Sequence, residues 1–293
     1  MLVVGIDENG LGPLLGPLVV TATLLSVADL EPLLRGSLRE SKEIFRSGKK
    51  MEEGERYVLS FFKLFKGYIP SQPKEILKEL LLPLDDTCLS PLPHCQPDFK
   101  IPHWCNISEI NENEAKTFLQ EVGAELLEVK SIALCPAQLN KRLQSHNKNH
   151  IDYLLFEELM IYFKRKFKED ILFLCGGIGT TKSYENYFHH LASLTYKKTE
   201  WNEEELSYSF PSFGEVRFIK DGERYFPIAL SSDFGKYIRE LFVEQMNSFF
   251  RDILPSLPYC SGYRDEKTKL FVEATEDLRE RLGIPPICFL RSL

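Results

Sequence analysis

The stretch "LVVGIDENGLGPLLGPLVV", residues 2–20, decides the reading of this chain. An apolar run from Leu2 to Ile6 delivers two adjacent acids, Asp7 and Glu8. It then dissolves into Asn9-Gly10-Leu11-Gly12-Pro13 before a second apolar run. Short apolar runs bounded by Gly and Pro predict two strands joined by a turn, at 2–6 and 17–25. The Val and Thr content of the second suits a pleated, half-buried surface. Adjacent strand residues point to opposite faces, so both acids can serve one site only where the strand ends or bends. Such a pair can simply cap local backbone. The chemical alternative is a divalent-metal site, because Mg²⁺ and Mn²⁺ are hard cations held by carboxylate oxygens.

The totals narrow the class. At 293 residues, 43% hydrophobic and 27% charged, the chain can bury a sizeable core. No apolar run reaches the roughly 18–20 residues of a membrane helix, and the acids in the N-terminal run argue against a signal peptide. Seven scattered cysteines, an odd number, favour a reducing, cytoplasmic setting over a disulfide framework. A net charge of −7 argues against generalised nucleic-acid binding but leaves room for a local basic groove.

Further along, helical spacing predicts helices at 52–65, 72–82 and 150–167. Residues 83–105, with five prolines and three cysteines, read as an irregular insertion. A helix and a strand follow it, and then come strands at 171–175 and 215–220. A long helix is predicted from residue 231, with Ser232 or Asp233 as N-cap. The tail "EATEDLRERLG" (273–283) reads as a charged helix ended by Gly283. This pattern implies an α/β fold with a mixed sheet and a helical C-terminal part. The division is a core over 1–240, carrying the insertion, and a helical extension over 241–293.

"GIDENGLGPLLGPLVV" (5–20) resembles the opening motif of the type 2 ribonucleases H, and more blocks follow in family order. They are "LRESK" (38–42), "FLCGGIGTTKSY" (173–184), "FIKDGERYFPIALSSDFGKYIRE" (218–240), "LPYCSGYRDEKTK" (257–269) and "FLRSL" (289–293). The archaeal and eukaryotic branch fits best, through the SGYRDEKTK block (261–269). The resemblance implies a ribonuclease H-like mixed sheet flanked by helices. It also implies hydrolysis of the RNA strand of RNA/DNA hybrids, or nicking at ribonucleotides embedded in duplex DNA, by four acids holding two Mg²⁺ or Mn²⁺ ions.

Carried over residue by residue, Asp7 and Glu8 match the first two acids. Asp221 and Glu223 flank the position of another, with Glu223 as the third metal ligand. The turn Gly10-Leu11-Gly12 matches the backbone that approaches the ribose 2′-hydroxyl, the group that tells RNA from DNA, although Leu11 stands where the family has arginine. Tyr263 matches the tyrosine that stacks on the sugar at the junction. Lys42, Lys236, Lys267 and Lys269 fall at basic positions suited to phosphate. The remaining family aspartate falls on Gly176, or on Cys175 with a one-residue slip, and neither supplies a carboxylate. Two function readings follow: a divergent metal-dependent endoribonuclease, or an impaired relative that binds nucleic acid or a protein partner without cleaving.

Other candidates weigh less. Cys88, His94, Cys95, His103 and Cys105 could hold a small zinc site but lack a CxxC pair. His189-His190 read as packing on a helix, and the Gly176–Gly179 run lacks the Lys-Ser/Thr of a phosphate loop.

Overall fold

The computed structural model describes residues 1–35, 50–84 and 101–292. Lys42, Cys88, His94 and Cys95 lie outside the described residues. β1 (Leu2–Asn9) pairs antiparallel with β2 (Leu18–Val27), setting Asp7 opposite Thr21 and Glu8 opposite Val20. β3 (Ala124–Leu134) continues the meander beyond β2. On its other side β1 runs parallel to β4 (Ile171–Gly176), and β4 parallel to β7 (Gly214–Ile219). The hairpin β5 (Lys197–Glu200) and β6 (Glu205–Phe210) completes the edge, giving the order β3-β2-β1-β4-β7-β6-β5. This is the ribonuclease H-like mixed sheet that the motif blocks imply. The hairpin was not legible in the sequence: β5 is "KKTE", built largely from residue types that strands avoid, and only pairing with β6 makes it a strand.

Side-chain alternation along β1 and β4 builds two cores. Val4, Ile6, Phe173 and Cys175 meet a helix over Lys148–Lys166, while Val3, Leu172 and Leu174 meet a long helix over Phe226–Ile253. With α1 (Glu31–Arg35), α2 (Lys50–Lys66), α3 (Pro73–Leu80), α4 (Asn113–Glu121) and α5 (Pro136–Arg142), these two are α6 and α7. α2, α3 and α4 pack on the α7 face through residues such as Phe62, Leu77 and Leu119. α7 lies directly on β1 because residue 5 is glycine: a Cβ there would overlap the Pro227 backbone. Ser231 Oγ sits 2.8 Å from the Gly5 carbonyl oxygen.

α7 begins five residues before the predicted start. Its N-cap is Tyr225, not Ser232 or Asp233. Proline's fixed φ and missing N–H suit a helix's first turn, where Pro227 sits. Ser232 and Asp233 are therefore buried inside the helix. The tail is two helices, α8 (Glu266–Ala274) and α9 (Glu276–Arg281), followed by α10 (Pro286–Phe289). Gly283 ends α9 with φ +66°, the left-handed stop expected of it.

α7 runs unbroken through residues 240 and 241, the division drawn from the sequence. Met246, Phe250, Phe271, Leu278 and Phe289 close a third apolar cluster around Leu15. The C-terminal segment thereby holds the turn that follows Asp7 and Glu8.

The described end of the Pro-rich insertion is pinned by one buried acid, Glu55 of α2. Its carboxylate accepts from the Cys105 N–H (2.8 Å) and the Tyr237 hydroxyl (2.8 Å), and pairs with His103 Nδ1 at 2.8 Å. His103 Nε2 lies 3.0 Å from the Pro70 carbonyl oxygen. Both ring nitrogens of His103 are engaged by protein atoms, so among the described residues this histidine serves packing and not zinc. No helix among the described residues is long and apolar enough to cross a membrane.

Candidate metal centre and nucleic-acid face

At the C-terminal ends of the parallel pair β1 and β4 the sheet turns acidic. Asp7 is 6% exposed and points to the α7 side, Glu8 to the α6 side. Burial pushes the Asp7 carboxyl well above the usual range, and the charges of Glu8 and Glu223 add to it. The Glu8 carboxyl is raised too, by burial first and then by the charge of Asp152. Glu223 stands in the 3₁₀ turn Gly222–Arg224, where it accepts from Ser232 Oγ at 2.9 Å. Asp221, at φ +50°, makes the left-handed step into that turn, which Asp tolerates better than most residues. Its own side chain is exposed. Of the two alternatives at this position, Glu223 is the one whose charge bears on Asp7.

Gly176 lies at the end of β4 on the Asp7 side. A Cβ there would land on Asp7 Oδ1 and sit 3.4 Å from Asp7 Cγ. The position where the resemblance places the missing acid is therefore the immediate neighbour of Asp7, whose own carboxylate fills the space. Cys175 points to the opposite face and is fully buried in the α6 core.

Two acids that the sequence reading did not select join the group. Asp152 of α6 and Asp233 of α7 are 0% and 1% exposed. Burial raises both carboxyls well above the usual range, with Asp7 adding to Asp152 and Glu223 adding to Asp233. Asp233 has a counter-charge in Lys236, and Lys236 is half-buried among Glu240, Asp233 and Glu223. Acidic residues inside apolar helices carry no periodic signal of their own, so only the tertiary structure exposes this convergence.

The turn beside the acids is built for close approach. Gly10 adopts φ +93°, and a Cβ there would meet the Pro17 carbonyl oxygen at 2.9 Å and Arg239 Cδ at 3.0 Å. Gly12 is exposed and has nothing within 4 Å of its Cβ position, while Leu11 folds back onto the α6 core. The turn is clamped from the C-terminal segment. Leu14 N–H donates to the Gly262 carbonyl (2.8 Å), Arg291 Nε to the Gly16 carbonyl (2.7 Å), and Arg291 Nη1 to the Gly10 carbonyl.

Tyr263 follows Gly262 and is 49% exposed, its ring 4.7 Å from the guanidinium carbon of the buried Arg239. This is a cation–π contact that fixes the ring beside Gly10. Lys267 and Lys269 are exposed on α8. The charges of Arg264 and Arg291 both bear on Lys148, whose ammonium is lowered chiefly by burial. Lys148 and Arg264, which the motif blocks do not single out, thus add to the basic side chains of this face.

A second cluster, Glu157, His189 and His190, brings potential ligand atoms within 4.8 Å of one another. Its carboxylate is already spent: it accepts from the N–H groups of His189 (3.1 Å), His190 (2.9 Å) and Leu191 (3.1 Å). The two histidines lie in a turn held by these bonds, not on a helix as their sequence context predicts.

The sheet and its acidic end define a ribonuclease H-like protein with a carboxylate centre. No protein-family model matches the chain. Over 287 residues, 98% of this chain, it is 23% identical to the ribonuclease HII of Methanococcus maripaludis strain C6, covering 82% of that protein. It is 23% identical over the same length to the ribonuclease HII of Methanococcus vannielii, covering 80% of it. Among solved structures it aligns with the ribonuclease H2 of Pyrococcus horikoshii (16% identity, TM-score 0.45, 99% of this chain and 92% of that one). It also aligns with the ribonuclease HII of Archaeoglobus fulgidus in its complex with PCNA (15% identity, TM-score 0.43, 99% and 94%). The sequence likeness runs over nearly the full length of the chain and, like the motif blocks in order, it is a likeness to the type 2 ribonucleases H.

Proposed function

We propose that the chain is a divalent-metal-dependent endoribonuclease acting on RNA/DNA hybrids or at ribonucleotides embedded in duplex DNA. The observation that carries this reading is the convergence of Asp7, Glu8 and Glu223, partly or fully buried, beside the Gly10–Gly12 turn and the Tyr263 ring. The donor set fits the metal. All the donors are carboxylate oxygens, the chemistry that Mg²⁺ and Mn²⁺ select, and buried acids whose charges bear on one another call for a cation. Asp7, Glu8 and Glu223 would hold it. Bound there, such ions activate water and neutralise charge building on the phosphate.

The remaining roles belong to the chain itself. Gly10 and Gly12 leave backbone open to a sugar 2′-hydroxyl, the group that marks a ribonucleotide. Tyr263 offers an exposed ring face beside them. Lys236, Lys267 and Lys269 supply phosphate contacts, as does Lys42, which lies outside the described residues.

The test is a duplex DNA with one embedded ribonucleotide, compared with the same duplex in DNA only. With Mn²⁺ or Mg²⁺ the first should be nicked at the ribonucleotide and the second left whole, and a chelator should stop the reaction. The absent carboxylate at Gly176 favours the second reading, binding without cleavage. Retention of the ribonucleotide duplex with no nick under either metal would establish that reading over the first.

Binding has its own signature. Stacking of an aromatic ring on a base or sugar is worth ~1–3 kcal/mol, so Tyr263→Ala should weaken binding to the ribonucleotide duplex by about that much. All-DNA duplex, held mainly by charge, should respond less, and both affinities should fall as salt rises. Unchanged affinity in a folded Tyr263→Ala variant would make Tyr263 only a lid on Arg239.

A further inference from the structure

α6 buries two acids, and the protein treats them in opposite ways. Glu157 is fully satisfied: three backbone N–H groups and the Tyr153 hydroxyl (3.4 Å) point at it. Asp152, one and a half turns earlier and 0% exposed, has neither carboxylate oxygen in a hydrogen bond among the described residues. A buried, unpartnered carboxylate is among the most costly groups a fold can carry. The groups it faces make this worse, since the charge bearing on it is that of Asp7, and it bears in turn on Glu8. Asp233, the other newly found acid, has Lys236 to offset it, and among the described residues no cation does this for Asp152.

The position of Asp152 supplies a reason. Asp7 and Gly176 share the α7 face of the sheet, and the family's missing acid would have stood at Gly176. Asp152 comes from the α6 face, the side to which Glu8 points, and it is electrostatically linked to both acids at the end of β1. It restores the number of carboxylates to four: Asp7, Glu8, Glu223 and Asp152.

We propose that Asp152 is a metal-ligating residue of this centre, replacing from α6 the carboxylate that Gly176 lacks. A divalent cation is the partner its two unbonded oxygens lack, and Asp152 would hold it together with Asp7 and Glu8. This rests on the metal-dependent reading above, and the experiment separates the two.

The full-length chain is titrated with Mn²⁺ alone, without nucleic acid, and binding is read by calorimetry and by the rise in thermal midpoint. The unaltered chain should bind. Asp152→Asn should bind at least ~10-fold more weakly, while its metal-free midpoint stays at or above that of the unaltered chain, because a buried unpaired acid has been removed. Asp152→Glu, which keeps the carboxylate, should stay within a few-fold and covers the case in which the amide variant folds poorly. Absence of Mn²⁺ binding by the unaltered chain would overturn the metal-dependent reading itself. Normal binding by the unaltered chain together with normal binding by folded Asp152→Asn would overturn only the assignment of Asp152. Equal loss in the Asn and Glu variants would do the same, showing that the site needs the shape of Asp152 and not its oxygens.

Discussion

Asp7→Asn should lower nicking of a ribonucleotide-containing duplex by ~10²–10³-fold, the scale on which one positioned charge-stabilising group acts, and should make the metal-free protein no less stable. The two effects have one origin. Asp7 is buried against Glu8 and Glu223, so its charge is useful to a cation and costly without one. Asparagine keeps the shape and removes the charge. Parallel measurements of turnover and thermal midpoint check this. If the variant instead melts lower and loses activity only in proportion to the folded fraction, Asp7 is a structural cap.

A second large effect concerns pH. Burial holds the carboxyls of Asp7, Glu8, Asp152 and Asp233 well above their usual range. As pH rises past the unfolded values near 4, these acids ionise in the unfolded chain first, while the folded chain keeps its protons. The folded state then binds more protons than the unfolded one, so stability falls with rising pH until the folded values are passed. Each proton of difference is worth ~1.4 kcal/mol per pH unit, and ~1 kcal/mol moves the midpoint of a domain this large by roughly 2–4 °C.

The metal-free protein should therefore melt several degrees lower at pH 8 than at pH 5.5. Mn²⁺ should narrow the gap, because it takes the place of the protons and binds more tightly as they leave. Melting curves at the two pH values, with and without Mn²⁺, measure both slopes. A metal-free midpoint that climbs between pH 5.5 and 8 would show that these acids are ionised and compensated in the folded state, contrary to their burial.

The sequence by itself determined the parts of this protein that are local. The apolar run ending in Asp7-Glu8, the glycine turn and the SGYRDEKTK block announce a strand end, an open backbone and an exposed ring, and each is found where the residues place it. Period and punctuation suffice there, because neighbouring residues in the chain decide the conformation. The start of α7 at Phe226, ahead of the Ser232 or Asp233 cap expected, was not legible locally, since Pro227 fits a helix's first turn as well as a loop before it. The hairpin of β5 and β6 was hidden for a similar reason: Lys-Lys-Thr-Glu becomes a strand through its partner.

The acidic centre is the clearest division. Asp7 and Glu8 could be read from their spacing, and the resemblance pointed to a missing acid at Gly176 or Cys175. The sequence did not show that Asp7 itself fills that space, or that Asp152 and Asp233 arrive from helices on opposite faces of the sheet. Acids far apart in sequence become one electrostatic group only when the chain folds, because burial and proximity, and not residue type, set the free energy of a charge.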